Sequence, residues 1–548
     1  MTAPATITLA LLAACTAATS PLGAEPVRFT VDPTREIGPI SPWIYGSNHD
    51  VDAHRIDTAR RLGGNRLSTF NWETGASNAG RDYTHSSDLW LVAEQPLDWW
   101  GINHTEPEPD ATPGAVLTTF HDESLARGSM SLIQVPMLGL VAADAHGPVA
   151  EHEAAPSPRW APARATPAQD NVNTNTVSAL EMIQWLVNQY GPADAHQGVR
   201  AYGLGNEPGL WHETHPRARA TPITCRELLD TSIEFASAIK RADPSAEVYG
   251  PALWGFGSMN NLHGAADWPA LHREHAYDWF VDAYLDTMRL HSERAGTRLL
   301  DAFDIHWYPQ PTAPEARETA AMAGPRSLYD ESYTEPTWIG EHFPRFLPIL
   351  PRLQQSIERY FPGTKIVIGE YDWDLGGTIA GGLAQADALG AFGRHGVHAA
   401  FYHHFTHNRP DAFIGAAFEL YRSTDTTTPH FGDIALEITP PITSNGNISA
   451  YSSKSSTHDT LHIIVVDRRP TGTDIEIEIA AHHVGTPDGV SIDAWILDAA
   501  APAVRHLTPP PTLTDHTITF ESPGRAAVHL IIHAQPRRPT DEQEPRRE

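Results

Sequence analysis

Short apolar runs alternate with amphipathic stretches of helical spacing from about residue 43 to 430. Strand-like runs occur at 42–46, 64–72, 130–138, 199–207, 246–253, 301–309, 365–371 and 397–404. Helix-period stretches lie between them, among them 176–190, 275–295 and 378–396. Eight strands with intervening helices predict a TIM-like (β/α)8 barrel over 43–433. The pattern changes after residue 434. The run 474–480 alternates Ile475, Ile477 and Ile479 with Glu476 and Glu478, a strand with one apolar and one solvated face. Similar short strands at 460–467, 491–498 and 526–533 follow one another without a long helix, which predicts an accessory β-sandwich over 434–534. The strand-like 27–32 precedes the barrel, and the segment 25–42 is expected to join that sandwich. The Pro- and Ala-rich 151–171 predicts a long loop over the barrel mouth. The polar stretch 535–548 has too little apolar surface to fold. No internal repeat is visible.

Composition narrows the partners. The chain has 548 residues and a formal charge of −29, which repels nucleic acid and anionic membranes and is consistent with a solvated acidic surface. No obligate protein partner is evident. Residues 1–24 read as an export segment whose apolar core, Ile7 to Ala14, is too short to span a bilayer. Leu12-Ala13-Ala14-Cys15 resembles a lipobox, so a lipid anchor on Cys15 and cleavage after Ala24 are both open. Either gives an extracytoplasmic protein, secreted or held at the cell surface. The other cysteine, Cys225, lies in a stretch of helical spacing and reads as a core residue. Two cysteines exclude a disulfide scaffold and a thiolate zinc site. The histidine pairs lack zinc-binding helix spacing, and neither a nucleophile elbow nor a dinucleotide-binding glycine motif is present.

The candidate chemistry sits at two strand ends. The run 199–207 ends in Asn206-Glu207-Pro208, and 365–371 ends in Glu370-Tyr371. A carboxylate at the tip of a buried strand costs several kcal/mol unless paired, so each is either ion-paired or functional. Both fall at the C-terminal ends of barrel strands, four and seven by count, where barrel enzymes carry their catalytic groups. Two carboxyl groups so placed suit glycosidic cleavage, one protonating the leaving oxygen and one attacking the sugar. Asn206 is positioned to bind a sugar hydroxyl. At the end of strand six, His306 and Tyr308 share one side with Trp307 opposite, and Tyr308 is placed to orient Glu370. Arg66 is expected either to orient Glu370 or to pair with another carboxylate. Trp72, Trp211, Trp307, Tyr371 and Trp373 lie beside strand ends as candidate platforms for a sugar face; the alternative is ordinary core packing.

The stretch 60–91 resembles glycoside hydrolase family 44, as do 134–149, 203–216, 303–309, 333–348 and 383–394, in the family's order. The resemblance implies a TIM-like barrel with a β-sandwich and endo-acting, retaining hydrolysis of β-1,4-glucans, including cellulose derivatives and xyloglucan. By position it implies Glu207 as acid/base and Glu370 as nucleophile, with no cofactor for catalysis. It also implies a structural calcium near the loop after strand two, with Glu73 and Asp144 as ligands. Two departures bear on substrate preference and pH optimum: Asp372 stands where the family usually has Asn, and strand eight ends in His403-His404. Other barrel-plus-sandwich glycosidases, an arabinofuranosidase or a mannanase, remain alternatives, as does a non-catalytic glycan-binding surface lipoprotein.

Overall fold

The computed structural model describes residues 25–48, 57–92, 112–167, 176–310, 312–403, 411–422, 430–480 and 490–534. The export segment, His404 and the tail after 534 lie outside these residues. Eight parallel strands close a barrel: β1 (Gly46–Asn48), β2 (Ala59–Leu62), β3 (Met130–Val135), β4 (Ala201–Leu204), β5 (Glu247–Leu253), β6 (Ala302–Trp307), β7 (Lys365–Tyr371) and β8 (Ala399–Tyr402). Helices α1 (Ala115–Arg127), α2 (Ala179–Tyr190), α3 (Cys225–Ala242), α4 (Phe280–Ala295), α5 (Ile349–Tyr360), α6 (Ile379–Arg394) and α7 (Ala412–Tyr421) follow β2 to β8 in turn. The floor of the barrel is a packed layer of Ala59, Leu132, Ala201, Tyr249, Ala302, Val367, Ala399 and Phe401, so the strands enclose a core and leave chemistry to their C-terminal ends.

Local signals account for most elements. Thr224 caps α3 by accepting from Glu227 N at 3.2 Å, and its buried stripe runs through Leu228, Phe235 and Ile239. Cys225 is buried on this helix. Helix α6 differs from its amphipathic expectation: Ile379 to Gly393 are all buried. It lies between the barrel and the second domain, and small residues permit the fit, since a side chain at Gly390 would meet the Tyr451 ring at 2.2 Å.

Two strands of the sequence reading move. Pro42–Ile44 is a 3-10 turn capped by Ser41, and β1 begins only at Gly46. The run 64–72 holds a 3-10 turn, Asn65–Thr69, while β2 is the polar Ala59–Leu62. Its two arginines hid it. Arg60 faces outward to Glu123 of α1, and Arg61 faces into the barrel mouth. Within the expected loop, Trp160–Arg164 is a strand paired with Leu140–Ala142.

The second domain is a ten-stranded sheet folded on itself into two layers. Its order is 501–506, 490–498, 526–534, 460–467, 448–454, 434–439, 27–39, 473–479, 517–522, 512–514. The N-terminal strand Val27–Pro39 lies inside it, antiparallel to Ile434–Thr439 and parallel to Thr473–Ile479. The inner faces contribute Phe29, Val31, Ile463, Val465, Ile475, Ile477 and Leu530 to one core. Ile464 and Val466 point the other way, into the core shared with the barrel helices. The fold is thus a TIM barrel with a β-sandwich docked against it.

Candidate active site

Backbone irregularities aim the two strand-end glutamates. Glu207 holds a left-handed conformation, φ 45°, and donates its N–H to Ala252 O at 2.9 Å. Such a conformation costs roughly 1–3 kcal/mol for a non-glycine residue and recurs where a site must be aimed. Pro208 then opens a short 3-10 turn. On β7 the device is a bulge. Ile305 pairs with Ile368 but His306 with Glu370, and β8 shows the same offset, leaving Gly369 as an extra residue. Val367 lines the barrel floor, so strict alternation would turn Glu370 outward. The extra residue turns it inward and sends Tyr371 to the helix side.

The carboxyl groups meet across His306. His306 Nδ1 lies 2.9 Å from Glu207 Oε1 and 3.4 Å from Glu370 Oε2. One oxygen from each carboxyl and a ring nitrogen all fall within 4.8 Å of one another. Arg61 donates through Nη1 to Glu370 Oε1 at 2.7 Å and through Nη2 to Asn206 Oδ1 at 2.8 Å. Tyr308 OH donates to Glu370 Oε2 at 2.8 Å. Trp211 Nε1 donates to Asn206 O at 2.7 Å, fixing the residue before Glu207 from below. Beside the pair opens a cavity of about 420 Å³ whose lining includes Tyr308, Gln310, Arg317, Asp372, Trp373 and Asp374.

The two carboxyls are pushed in opposite directions. Burial raises the pKa of Glu207, helped by the charge of Glu370 and opposed by His306. Burial acts on Glu370 in the same sense, but the positive charges of His306, His403 and Arg61 and the Tyr308 hydroxyl outweigh it. Glu370 is held well below the usual carboxylate range. His306 is raised despite its burial, by Glu370 first and then Glu207. One protonated and one ionised carboxyl is the division of labour a general acid and a nucleophile require.

Comparison with known proteins agrees. Residues 76–311 match the profile of glycoside hydrolase family 44. The chain is 38% identical over 535 residues to endoglucanase A of Paenibacillus lautus, covering 94% of this chain and 74% of that protein. It superposes on the family 44 xyloglucanase of Paenibacillus polymyxa, solved alone and with xyloglucan, with TM-score 0.84 and 37% identity. That match covers 93% of this chain and 100% of the other. The family 44 endoglucanase of Clostridium thermocellum superposes with TM-score 0.83 at 36% identity, covering 93% and 100%. The chain belongs to glycoside hydrolase family 44. It is a glycoside hydrolase.

Of the two roles expected of Arg66, pairing with another carboxylate is the one this family 44 chain shows, while the expected sugar platforms are largely buried. Arg66 is buried in a two-pronged pair with Asp88, at 2.6 and 3.2 Å, over the Trp90 ring. Arg61 takes the place foreseen for it. The sugar platforms are core. Tyr371 and Trp373 are 0% exposed and bond to Gln385 of α6, because the bulge rotates this stretch toward the helices. Trp211 and Trp307 are buried, and Trp72 packs on Trp185. Among the described residues the exposed tryptophan is Trp338, 38% accessible, its Nε1 donating to Gln310 Oε1 at 2.8 Å on the cavity rim. An aromatic outside a strand end carried no signal for this in the sequence.

The two residues implied as calcium ligands have neighbours of their own. Both Asp144 oxygens accept from Arg159 Nε, at 2.8 and 3.0 Å, so this carboxylate is spent on an ion pair. Glu73 is partly buried, and burial together with the charge of Glu181 raises its pKa. Among the described residues, the grouping of three or more close metal-capable side chains is Glu207, His306 and Glu370 itself.

Proposed function

We propose that this family 44 enzyme cleaves β-1,4-glucan backbones internally, xyloglucan included, by double displacement with retention of configuration. The observation that carries it is the carboxyl spacing: oxygens of Glu207 and Glu370 within 4.8 Å suit direct attack. Retaining enzymes hold the pair about 5–5.5 Å apart, whereas inverting enzymes need about 6.5–9.5 Å for a water. Two endoglucanases and a xyloglucanase among its relatives support the glucan.

Glu370, ionised and fixed by Arg61 and Tyr308, attacks the anomeric carbon. Glu207 gives its proton to the glycosidic oxygen, which leaves as the new chain end. The glycosyl ester has no charge on Glu370, so one of the influences raising Glu207 is gone, and its carboxylate then takes a proton from water. That water attacks the anomeric carbon and frees Glu370. His306, holding a proton on Nδ1, donates to Glu207 Oε1 and leaves Oε2 to carry the transferred proton. Asn206, held by Arg61, offers its amide to a sugar hydroxyl, and Trp338 offers a platform on the rim. A polymeric substrate is met outside the cytoplasm, in keeping with the apolar run Ile7 to Ala14.

Proton NMR of the anomeric signals during digestion of xyloglucan tests this. The β-anomer is expected first; the α-anomer first would mean inversion and remove Glu370 as nucleophile. Glu207→Gln is expected to lose most turnover of unactivated glucans while still binding them, by about 10²–10⁴-fold for the lost acid.

A further inference from the structure

A third carboxyl lies beneath the catalytic pair. Asp304 sits on β6 two residues before His306 and is 1% exposed, its Oδ1 without a hydrogen-bond partner among the described residues. Its neighbour on the adjacent strand β7 is Gly369, the extra residue of the bulge. A side chain there would start 2.4 Å from Asp304 Oδ1 and 2.7 Å from Oδ2. Gly369 is not among the positive-φ glycines, so its backbone alone does not require glycine. What excludes a side chain is the Asp304 carboxyl.

We infer that Asp304 is a positioning residue: its carboxyl fills the notch at Gly369, setting the bulge that aims Glu370, and supplies the counter-charge that holds His306 protonated. The Gly369 N–H acts on this carboxyl, as do the charges of His306, Arg61 and Glu370. Tyr284 of α4 is the further titratable group that registers its charge. Burial raises Asp304 to about 6, opposed by the charges of His306 and Arg61. Among five groups the charges then balance, with His403 and Asp372 at the rim outside the count. Arg61 and His306 are two cations, and Glu370 and Asp304 two anions, with Glu207 carrying its proton. When the ester forms, the negative charge passes from Glu370 to Glu207 and the sum is unchanged. Without Asp304 these same groups would keep one positive charge in excess in both half-reactions.

The inference rests on Glu207 and Glu370 being the catalytic pair, and the test separates the two. The full chain is compared with Asp304→Asn, Asp304→Ala, Gly369→Ala and the Asp304→Ala/Gly369→Ala double variant. Rates are followed on a β-1,4-gluco-oligosaccharide across pH, and thermal unfolding is followed without substrate. Asp304→Asn keeps the shape and removes the charge. It is expected to lower kcat roughly a hundredfold, the scale of a small misplacement of a reacting group, with KM little changed. The alkaline limb of the rate profile should move to lower pH as His306 loses its counter-charge. Gly369→Ala should lower Tm and kcat in the native background and add little further loss of Tm to Asp304→Ala. An unchanged kcat and alkaline limb in Asp304→Asn would overturn the counter-charge. Additive Tm losses in the double variant would overturn the notch. Absence of glucan turnover by the native chain would sink the catalytic reading instead, leaving the Tm cycle to decide the notch.

Discussion

Arg61 and Arg66 are near neighbours in sequence, yet of the two Arg61 is the one that bonds the strand-end carboxyl of Glu370. Its guanidinium bonds Glu370 with one arm and Asn206 with the other, a fork that lysine cannot reproduce. Arg61→Lys is expected to lower kcat by about a hundredfold, with misplacement of Glu370 as the cause. Arg66→Lys should instead lower Tm and leave the pH profile in place, because its partner is Asp88. Steady-state kinetics and thermal melts of the two variants check the contrast. Glu207 gives a pH prediction of the opposite kind. Its folded pKa is raised, so its stability contribution is full below the unfolded value, near 4.5, and is lost as pH rises through the folded one. Glu207→Gln should therefore raise Tm more at alkaline than at acid pH, read from melts across pH. The sequence exposed Glu207 and Glu370 because strand ends in a barrel are where such acids occur. It did not expose Arg61, because an arginine inside a short polar strand looks the same from either face.

At the level of elements, the strand Thr460–Asp467 shows how a run of apolar residues conceals two destinations. Ile463 and Val465 enter the sandwich core while Ile464 and Val466 meet the barrel. Its His462 is buried against His529 of the neighbouring strand, Nδ1 to Nε2 at 3.1 Å, and His529 Nδ1 bonds Leu420 O of α7 at 2.8 Å. Burial lowers His462, with the repulsion of His529 adding to it, and burial lowers His529 from 6.5 to about 4. Both are neutral when folded, so their stability contribution is intact above pH 6.5 and is lost progressively as pH falls toward 4. His529→Gln, which can still donate to Leu420 O, should flatten the acid limb of a Tm-against-pH curve. An unchanged acid limb would place the sensitive group elsewhere. The bulge on β7 belongs to this scale as well. Alternation along 365–371 was legible, but the extra residue that reverses Glu370 and Tyr371 was not.

Across the whole molecule, the barrel and the sandwich share a buried polar node. Asp387 of α6 is 0% exposed and pairs with Arg468, Tyr329, Tyr451 and Ser449. Removing one partner leaves a buried charge unmatched, at a cost of about 3–5 kcal/mol. Arg468→Met is accordingly expected to destabilise the chain by that amount in denaturant melts, whereas a cost below about 1 kcal/mol would mean that water reaches Asp387. Among the described residues no helix is long and apolar enough to cross a membrane.

By itself the sequence determined the barrel, the sandwich and the two acids, because each rests on local periodicity: apolar runs with helices between, alternating strands, and glutamates at strand ends. The resemblance to family 44 was carried by motifs that keep their order along the chain. Tertiary structure decided which side chains those motifs present. The bulge chose Glu370 over Tyr371, the docked sandwich buried α6 on every side, and the core claimed Trp211, Trp307 and Trp373. It also spent Asp144 on Arg159 and Arg66 on Asp88, and brought Asp304 from β6 against Gly369 on β7. Such choices depend on what packs against an element from distant parts of the chain, and periodicity within the element carries no record of it.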